Sequence, residues 1–336
     1  MISIEAISSS GNARVLKIEA GVKQLSTPTY FPAISRLRMT LPGEQVLITL
    51  VSAKYPRLLV SAYDFHEMQP LTRTKIIGEI SDFFRNGSVV MLDSGIFESY
   101  WNRDSSWTFK EYSKWVKRVD SDFYFSYDLP ANVTLSENKF LAKTISRINR
   151  SRSIEETSYC IPIVHGLHIK QILSVLRKVT SIDGGLGMLA VSERDCGQTL
   201  SERAKTIFEI RKTLTENGLN SVLHVLGCGN PVSMAVYCYC GADTFDSLDW
   251  TQIVIERNEL RLGNLSQLEL LNCTCKACSR EIRDPVVKAL FHNLRFYQDY
   301  VMKLQAMIKR GTLRDFLLTF TGHDFINTLD KHESGG

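Results

Sequence analysis

The feature that most constrains the fold is an alternation of short apolar segments with helical segments along most of the chain. The apolar segments have the length and the β-branched content of buried strands. They are Gln45–Val60, Ser88–Leu92, Phe123–Tyr127, Ile161–Val164, Leu186–Val191, Val222–Leu226 and Asp243–Phe245. The segments with helical periodicity between them are Arg73–Phe84, Phe109–Val119, Ser136–Asn149, Ile169–Val179, Thr199–Glu216 and Val232–Cys240. This alternation predicts an α/β fold in which a parallel sheet closes into a (β/α)8 TIM barrel.

Three cysteines and a histidine lie close together near the end of the chain. Cys273, Cys275 and Cys278 are separated by one and two residues, and His292 follows in a helical segment. Four soft ligands are the number that a closed tetrahedral zinc site requires. Thiolates this close would repel one another or oxidise without a metal, so the spacing favours a structural Zn²⁺ over a group of ordinary thiols.

The two ends of the chain depart from the alternation. Near the start, Val15–Ile18 and Thr29–Phe31 flank a stretch containing Gly, Ser and Pro, which predicts a β-hairpin. Near the end, Pro285–Lys309 has the periodicity of a long amphipathic helix. We therefore expect a barrel with its N-terminal hairpin over residues 1–265, an inserted zinc-binding subdomain with a closing helix over 266–330, and a disordered tail over 331–336.

Polar residues follow the predicted strands at their C-terminal ends. They are Asp93, Asp128, His165, the segment Ser192–Asp195, Gly227 and Asp246. A single acid at such a position is most often the N-cap of the next helix. A barrel, however, brings all of these ends to one face, where barrel enzymes have their active sites. Carboxylates from several strands therefore predict an acid–base site, because like charges in one pocket raise each other's proton affinity.

Composition adds weaker constraints on the class of protein. The formal net charge of +4 is compatible with a nucleic-acid partner without identifying one. The eight cysteines and the lack of a signal peptide lead us to expect a reducing, cytoplasmic environment. No apolar run reaches the length of a membrane span, so no membrane partner is expected.

Several short motifs occur in the order in which the tRNA-guanine transglycosylase superfamily has them. They are Ser26–Pro32, Asp93–Phe97, Ile163–Gly166, Leu189–Glu193, Gly241–Asp246, Cys273–Cys278 and His292–Tyr297. The chain resembles this superfamily from about Ala13 to Lys309. The resemblance implies a barrel enzyme, a glycosyltransferase that exchanges guanine for a 7-deazaguanine base at a nucleic-acid glycosidic bond without an organic cofactor.

The resemblance also implies a role for individual residues. Asp246 is implied as the nucleophile that forms a covalent glycosyl-enzyme intermediate, and Asp93 as the general acid and base. The implied base-binding residues are Asp128, His165, Met188, Leu189, Glu193, Tyr63 and Gly227. The implied ligands of the structural zinc are Cys273, Cys275, Cys278 and His292.

Departures from the superfamily pattern bear on the polymer that is modified. His165 replaces the usual pocket glutamine, Ser61–Tyr63 replaces Asn-Thr-Tyr, and Gly187–Leu189 replaces Gly-Gly-Leu. Leu248–Gln252 replaces a Pro-Thr-Arg stretch used in tRNA docking, and the spacer before His292 is short. Because the catalytic acids are kept and the docking surface is changed, we predict the branch that places 7-cyano-7-deazaguanine (preQ0) into DNA, with a partner protein that opens the duplex.

Two alternatives remain open from the sequence. The first is a tRNA-guanine transglycosylase, which keeps the same chemistry and acts on a different polymer. The second is a non-catalytic barrel subunit that binds nucleic acid or a partner enzyme. The presence of Asp93, Asp128 and Asp246 favours an enzyme over the second alternative, since such subunits are expected to lose the nucleophile.

Overall fold

The chain begins with a small antiparallel sheet. The computed structural model describes residues 2–36, 39, 41–129, 135–182 and 186–334, with side chains as far as residue 331. The first three strands, β1 (Ile2–Ser10), β2 (Ala13–Ala20) and β3 (Lys23–Ser26), pair in the order β1-β2-β3. The predicted hairpin was wrong in its second strand, because β2 pairs with β1 and β3, and Thr29–Phe31 belongs to the barrel.

The centre of the molecule is a parallel sheet that closes on itself. Its strands are β4 (Thr29–Ile34), β5 (Arg57–Ser61), β6 (Val89–Asp93), β7 (Phe123–Phe125), β8 (Tyr159–Ile161), β9 (Ile163–Val164), β10 (Met188–Ser192), β11 (Val222–Leu226) and β12 (Thr244–Ser247). They follow the order β8-β7-β6-β5-β4-β12-β11-β10-β9.

The two ends of this order, β8 and β9, are one strand interrupted at Pro162, which pairs with β7 on one side and β10 on the other. Proline has no N–H to donate to the sheet, and the side chain of Ser126 accepts from the next amide, Ile163 N, at 3.0 Å. The strands therefore close a barrel, and the predicted TIM barrel is confirmed.

Helices connect the barrel strands and cover them. They are α1 (Gly43–Ser52), α2 (Ala62–Glu67), α3 (Pro70–Arg85), α4 (Ile96–Trp101), α5 (Phe109–Val116), α6 (Glu137–Arg152), α7 (Ile169–Ile182), α8 (Leu200–Glu216) and α9 (Pro231–Tyr239). Local capping explains where some of them begin. Thr199 and Glu202 form a capping box at the start of α8, and the Asn230 side chain accepts from two amides of α9.

The predicted strand Gln45–Val60 was wrong over its first half, which is α1. Val46, Leu47 and Leu50 are buried, whereas Ile48 and Val51 are exposed. This burial pattern has the period of a helix with one apolar face, although the β-branched residues Val46, Ile48 and Val51 favour a strand by type. The second half of the segment leads into β5.

Side chains of the barrel strands alternate between two buried clusters. Phe31, Phe125 and Ala190 lie in the interior cluster, together with Leu16 and Ile18 of the N-terminal sheet. That sheet therefore closes the end of the barrel at which the strands begin. Neighbouring residues such as Leu189 and Val225 lie in the outer cluster between strands and helices.

After the barrel, the chain forms a short irregular region and three helices. β13 (Ile253–Ile255) and β14 (Leu262–Asn264) form a two-stranded antiparallel sheet, and α10 (Pro285–Arg310), α11 (Leu313–Thr321) and α12 (His323–Ser334) follow. The long amphipathic helix that the sequence predicts is α10, whereas α11 and α12 were not predicted. The segment 331–336 was expected to be a disordered tail, but α12 continues as far as Ser334, and residues 335–336 lie outside the described residues.

The division of the chain at residue 265 stays a prediction. Among the described residues, no helix combines the length and hydropathy that a membrane span requires.

Candidate active site and candidate metal cluster

The carboxylate of Asp246 lies at the C-terminal end of β12, held from two directions. His224 Nε2 lies 3.0 Å from Asp246 Oδ1, and the backbone N–H of Gly227 donates to the same oxygen at 3.1 Å. Both Asp246 and His224 are buried. Among the described residues, no hydrogen bond to Asp246 Oδ2 is present. One oxygen is thus fixed, and the other is the one available to react.

The protonation of His224 follows from its neighbours. An ionised carboxylate only accepts hydrogen bonds, so His224 Nε2 must carry the proton that it shares with Asp246. His224 Nδ1 lies 2.8 Å from Thr244 Oγ1, whose hydroxyl can donate to an unprotonated nitrogen. The ring also contacts Phe31 and Phe125 at centroid distances of 6.4 and 5.2 Å. Thr244, His224 and Asp246 therefore form a chain of hydrogen bonds that orients the carboxylate.

Asp93, at the end of β6, is a strongly perturbed acid at the mouth of the barrel. Burial raises the pKa of Asp93 well above its ordinary value, and the charges of Glu98, Asp128 and Asp246 raise it further. The N–H of Gly95 donates to Asp93 Oδ2 at 3.1 Å and opposes this shift. Carboxylates from β6, β12 and the segment after β7 therefore act on one another, as the barrel prediction requires.

Glu98 is a further buried carboxyl group at this site. It lies on α4, directly after the Asp93 loop, and the hydroxyl of Ser35 donates to its Oε1 at 3.0 Å. Burial raises the pKa of Glu98 above its ordinary value. Burial therefore raises the pKa values of two neighbouring carboxyl groups of the site, Asp93 and Glu98.

Asp128 and His165 face each other across the mouth. The Ser94 hydroxyl donates to Asp128 Oδ1 at 2.7 Å, while His165 Nε2 lies 3.3 Å from Asp128 Oδ2. On the other side of the ring, His165 Nδ1 lies 2.9 Å from Asp195 Oδ2. Burial by itself would lower the pKa of His165, but the two carboxylates outweigh it and raise the pKa to about 10.

Glu193 and Tyr63 also lie around this site. The Tyr237 hydroxyl donates to Glu193 Oε1 at 2.8 Å, and Arg203 Nη1 lies 3.2 Å from the same oxygen. Tyr63 packs edge-on against Trp107, which donates to the carbonyl of Ser94 at 3.0 Å.

The loop after Asp93 passes close to Tyr63. A Cβ added at Gly95 would lie 2.3 Å from Tyr63 Cβ, and Gly95 has a φ of +70°. Only glycine fits this turn, which brings the loop of Asp93 against α2.

The structure does not bring two of the predicted base-binding side chains to the carboxylates. Met188 begins β10, at the opposite end of that strand from Ser192, and its side chain lies in the interior cluster. Leu189 points to the outer cluster, against the helices. The physical reason is the two-residue period of a strand, which sends Leu189 to the face opposite Met188 and Ala190.

The cysteine and histidine cluster is compact. The ligand atoms of Cys273, Cys275, Cys278 and His292 all lie within 4.8 Å of one another, so the four residues could hold a metal ion. His292 Nδ1 is 3.3 Å from Cys278 Sγ and 3.7 Å from Cys275 Sγ. His292 Nε2 lies 2.8 Å from the carbonyl of Ile255, which fixes the proton on Nε2 and leaves Nδ1 free to coordinate.

No role was predicted from the sequence for four residues of the site: His224, Glu98, Asp195 and Ser94. His224 could have been found from the sequence, because it is the polar residue in the apolar strand Val222–Leu226. It lies two residues after Val222, whose side chain points into the barrel, whereas Leu223 and Val225 point outward. Glu98 directly follows the Asp93–Phe97 motif and had no separate signal. The partners of Asp195 and Ser94 come from other strand ends, which local spacing does not reveal.

Comparison with known proteins agrees with this geometry. The sequence pattern of the family described as queuine tRNA-ribosyltransferase matches residues 9–324. The chain is 22% identical to the tRNA-guanine(15) transglycosylase of Pyrobaculum aerophilum, over 94% of this chain and 66% of that protein. It is 24% identical to the enzyme of the same name from Methanococcus maripaludis, over 93% of this chain and 51% of that protein.

A third relative, the tRNA-guanine(15) transglycosylase of Thermococcus onnurineus, is 20% identical over 89% of this chain and 53% of its own length. The chain thus spans between about half and two thirds of the length of the curated relatives that it matches. Because the family pattern covers nearly the whole sequence, the chain belongs to the queuine tRNA-ribosyltransferase family.

Proposed function

We propose that this protein is a tRNA-guanine transglycosylase that exchanges guanine in tRNA for another base through a covalent intermediate on Asp246. The observation that carries the proposal is that His224 and Gly227 fix Oδ1 of Asp246, whose charge acts on the nearby Asp93. A fixed carboxylate in a group of acids is what a nucleophile with a nearby proton donor requires.

The prediction that DNA is the substrate was wrong. The curated relatives that match nearly the whole chain are named for guanine exchange in tRNA, so the alternative reading is the better supported one. The altered segment Leu248–Gln252 and the short spacer before His292 were indirect grounds for the DNA branch, since a docking surface can change without a change of polymer. The non-catalytic alternative is disfavoured by the retained and oriented Asp246.

In the first half of the proposed reaction, Asp246 Oδ2 attacks C1′ of the target guanosine. The C1′–N9 bond breaks, the bond from the aspartate oxygen to C1′ forms, and guanine departs. Asp93 supplies the proton that the departing base needs, which suits an acid whose pKa is raised by burial and by neighbouring carboxylates. His224 holds Asp246 Oδ1, so the attacking oxygen needs little reorientation.

In the second half, an incoming base displaces Asp246 from C1′. Asp93, now ionised, takes the proton from the incoming base as its ring nitrogen attacks, and the bond between C1′ and the aspartate breaks. We propose a 7-deazaguanine base in this role. Asp128 is proposed to accept hydrogen bonds from the N1 and N2 edge of the base, with His165, Glu193, Tyr63 and Gly227 around it.

The four-residue cluster is proposed to hold Zn²⁺ as a structural ion. Three thiolates and one imidazole nitrogen are ligands that tetrahedral zinc accepts, and the distances between the ligand atoms fit one ion. Such an ion joins the segment of Cys273–Cys278 to α10 and takes no part in the bond exchange.

The test is incorporation of labelled guanine into nucleic acid by the purified full chain. We expect incorporation into tRNA and a covalent protein–RNA adduct that survives denaturation, with neither product formed by Asp246→Asn. Single-stranded and duplex DNA of matched length serve as controls for the polymer. Absence of both incorporation and adduct with tRNA, in protein that is folded and loaded with metal, would refute the proposal.

A further inference from the structure

We propose that Asp195 is a positioning residue that fixes His165 as a hydrogen-bond donor, and that this donor limits the pocket to 6-oxopurine-type bases. The inference rests on the proposed function, because it concerns the base that the same site exchanges. It adds a residue, Asp195, and assigns the selection between bases to the proton that Asp195 keeps on His165.

The placement of Asp195 is built into the fold. Asp195 lies in a short 3-10 turn, Glu193–Cys196, that follows β10. The hydroxyl of Thr206 on α8 donates to the carbonyl of Cys196 at 2.7 Å, which ties this turn to a capped helix. The carboxylate of Asp195 therefore has a fixed position, with its Oδ2 2.9 Å from His165 Nδ1.

The Nε2–H group of His165 remains available to donate a hydrogen bond to a ligand. His165 Nε2 is 3.3 Å from Asp128 Oδ2, which is in range of an ion pair, but the contact lacks the direction of a hydrogen bond. Among the described residues, this shielded nitrogen has no hydrogen-bond partner. A buried donor in this state costs free energy until a ligand accepts from it.

Both carboxylates force the ring into one role. An ionised carboxylate accepts and cannot donate, so a ring placed between Asp128 and Asp195 is most stable with a proton on each nitrogen. These two acids are the ionisable groups that act on His165, and the charge of Asp128 also raises the pKa values of Asp93 and Glu98. The raised pKa of His165, about 10, agrees with a ring that stays charged at neutral pH.

The pair Asp128 and His165 therefore presents an acceptor beside a donor. A 6-oxopurine offers the complementary edge, with an N1–H donor next to the O6 acceptor. A 6-aminopurine offers a bare N1 to the carboxylate and an amino group to the imidazolium, which are two mismatches at neighbouring positions. Sites with fixed polar groups reject such analogues strongly, because their own groups are left unpaired.

The experiment compares the parent protein with Asp195→Asn over the pH range 6 to 9. In the variant, His165 loses one of its two carboxylates, becomes neutral within this range, and can present a bare Nε2. We expect KM for guanine to rise by about 10- to 100-fold from low to high pH in the variant and to stay flat in the parent, with kcat changing less. Inhibition by adenine should strengthen in the variant at high pH.

Two controls separate positioning from general damage. Asp120→Asn makes the same chemical change at an exposed residue and should leave the profile flat. His165→Gln replaces the ring with a neutral donor, so Asp195→Asn added to it should change KM for guanine less than twofold. A flat profile and unchanged adenine inhibition in Asp195→Asn would overturn the inference, while exchange by the parent would leave the proposed function standing.

Discussion

The mouth of the barrel and the cysteine cluster use ionisable side chains in opposite ways. At the mouth, Asp93, Asp128 and Asp246 come from distant parts of the sequence and repel one another. In the cluster, three thiols within six residues converge with one histidine of the next helix, and a single cation would satisfy them all. Uncompensated charge is thus concentrated where chemistry is proposed, and compensated charge where the proposed role is structural.

Because of this difference, we expect the two regions to respond differently when one ionisable side chain is removed. Loss of a ligand in the cluster removes a cross-link, so folding should suffer first and activity as a consequence. Loss of an acid at the mouth relieves repulsion, so activity should suffer while folding improves or stays the same. The following experiments test this contrast, from the largest expected effect to the smallest.

Asp246→Asn should give the largest loss. Removing the attacking oxygen should lower kcat by on the order of 10⁴-fold or more and abolish the covalent adduct. The thermal unfolding temperature should stay within a few degrees of the parent, because the amide still accepts from Gly227. Near-normal turnover would show that another group, with Asp93 the first candidate, carries the covalent step.

Cys275→Ser should have the opposite signature. We expect loss of bound zinc, measured by elemental analysis, and a fall of several kcal/mol in the free energy of unfolding, with activity lost in proportion to unfolded protein. Cys160→Ala changes a buried thiol outside the cluster and should retain the metal. A variant that kept full stability while losing the metal would contradict the structural role of the cluster.

His224→Ala should give an intermediate effect on catalysis. Without the Nε2 donor, Asp246 keeps one of its two holds, so kcat should fall by about 10²-fold while KM for tRNA changes little. His224→Gln, which retains a donor, should recover part of the rate. An equal loss in both variants, accompanied by a lower unfolding temperature, would mean that the ring only fills the barrel interior.

Asp93→Asn tests stability in addition to rate. Its effect on stability should be the smallest change in this series. The pKa of Asp93 is raised in the folded protein above its ordinary value of 3.8, so the parent loses stability as pH rises from that value through the folded pKa. The amide cannot ionise, and the variant should melt a few degrees higher than the parent at neutral pH and equally at pH 3. A lower melting temperature at neutral pH would contradict the repulsion inferred at the mouth.

The repeated units of the fold were predictable, whereas its exceptions were not. The barrel strands from Val89 onward and most of the helices between them follow from local periodicity, because each unit buries one face in the same way. α1 was mistaken for a strand, because its residues are β-branched or apolar and only tertiary burial reveals a helical face. Thr29–Phe31 was assigned to a hairpin, because strand pairing within a barrel is set by contacts far along the chain.

The site shows the same division. Asp93, Asp128 and Asp246 were predicted from their places after strands, and Cys273–His292 from spacing. His224 was missed and Asp195 was given no role, since each acts through a partner on a different strand end. Leu189 was placed in the pocket by motif alone, although strand parity turns its side chain toward the helices.

One helix joins the two regions. α10 carries His292 of the cluster, and one to two turns later the hydroxyls of Tyr297 and Tyr300 donate to the carbonyls of Gly229 and Pro231 at 2.7 and 2.6 Å. Those carbonyls lie just beyond Gly227, which holds Asp246. If the cluster holds the proposed Zn²⁺, a preparation that has lost part of it is a mixture of competent and incompetent molecules, not a uniformly slower enzyme. Turnover numbers from different preparations would then be comparable only when they are divided by bound metal instead of by protein.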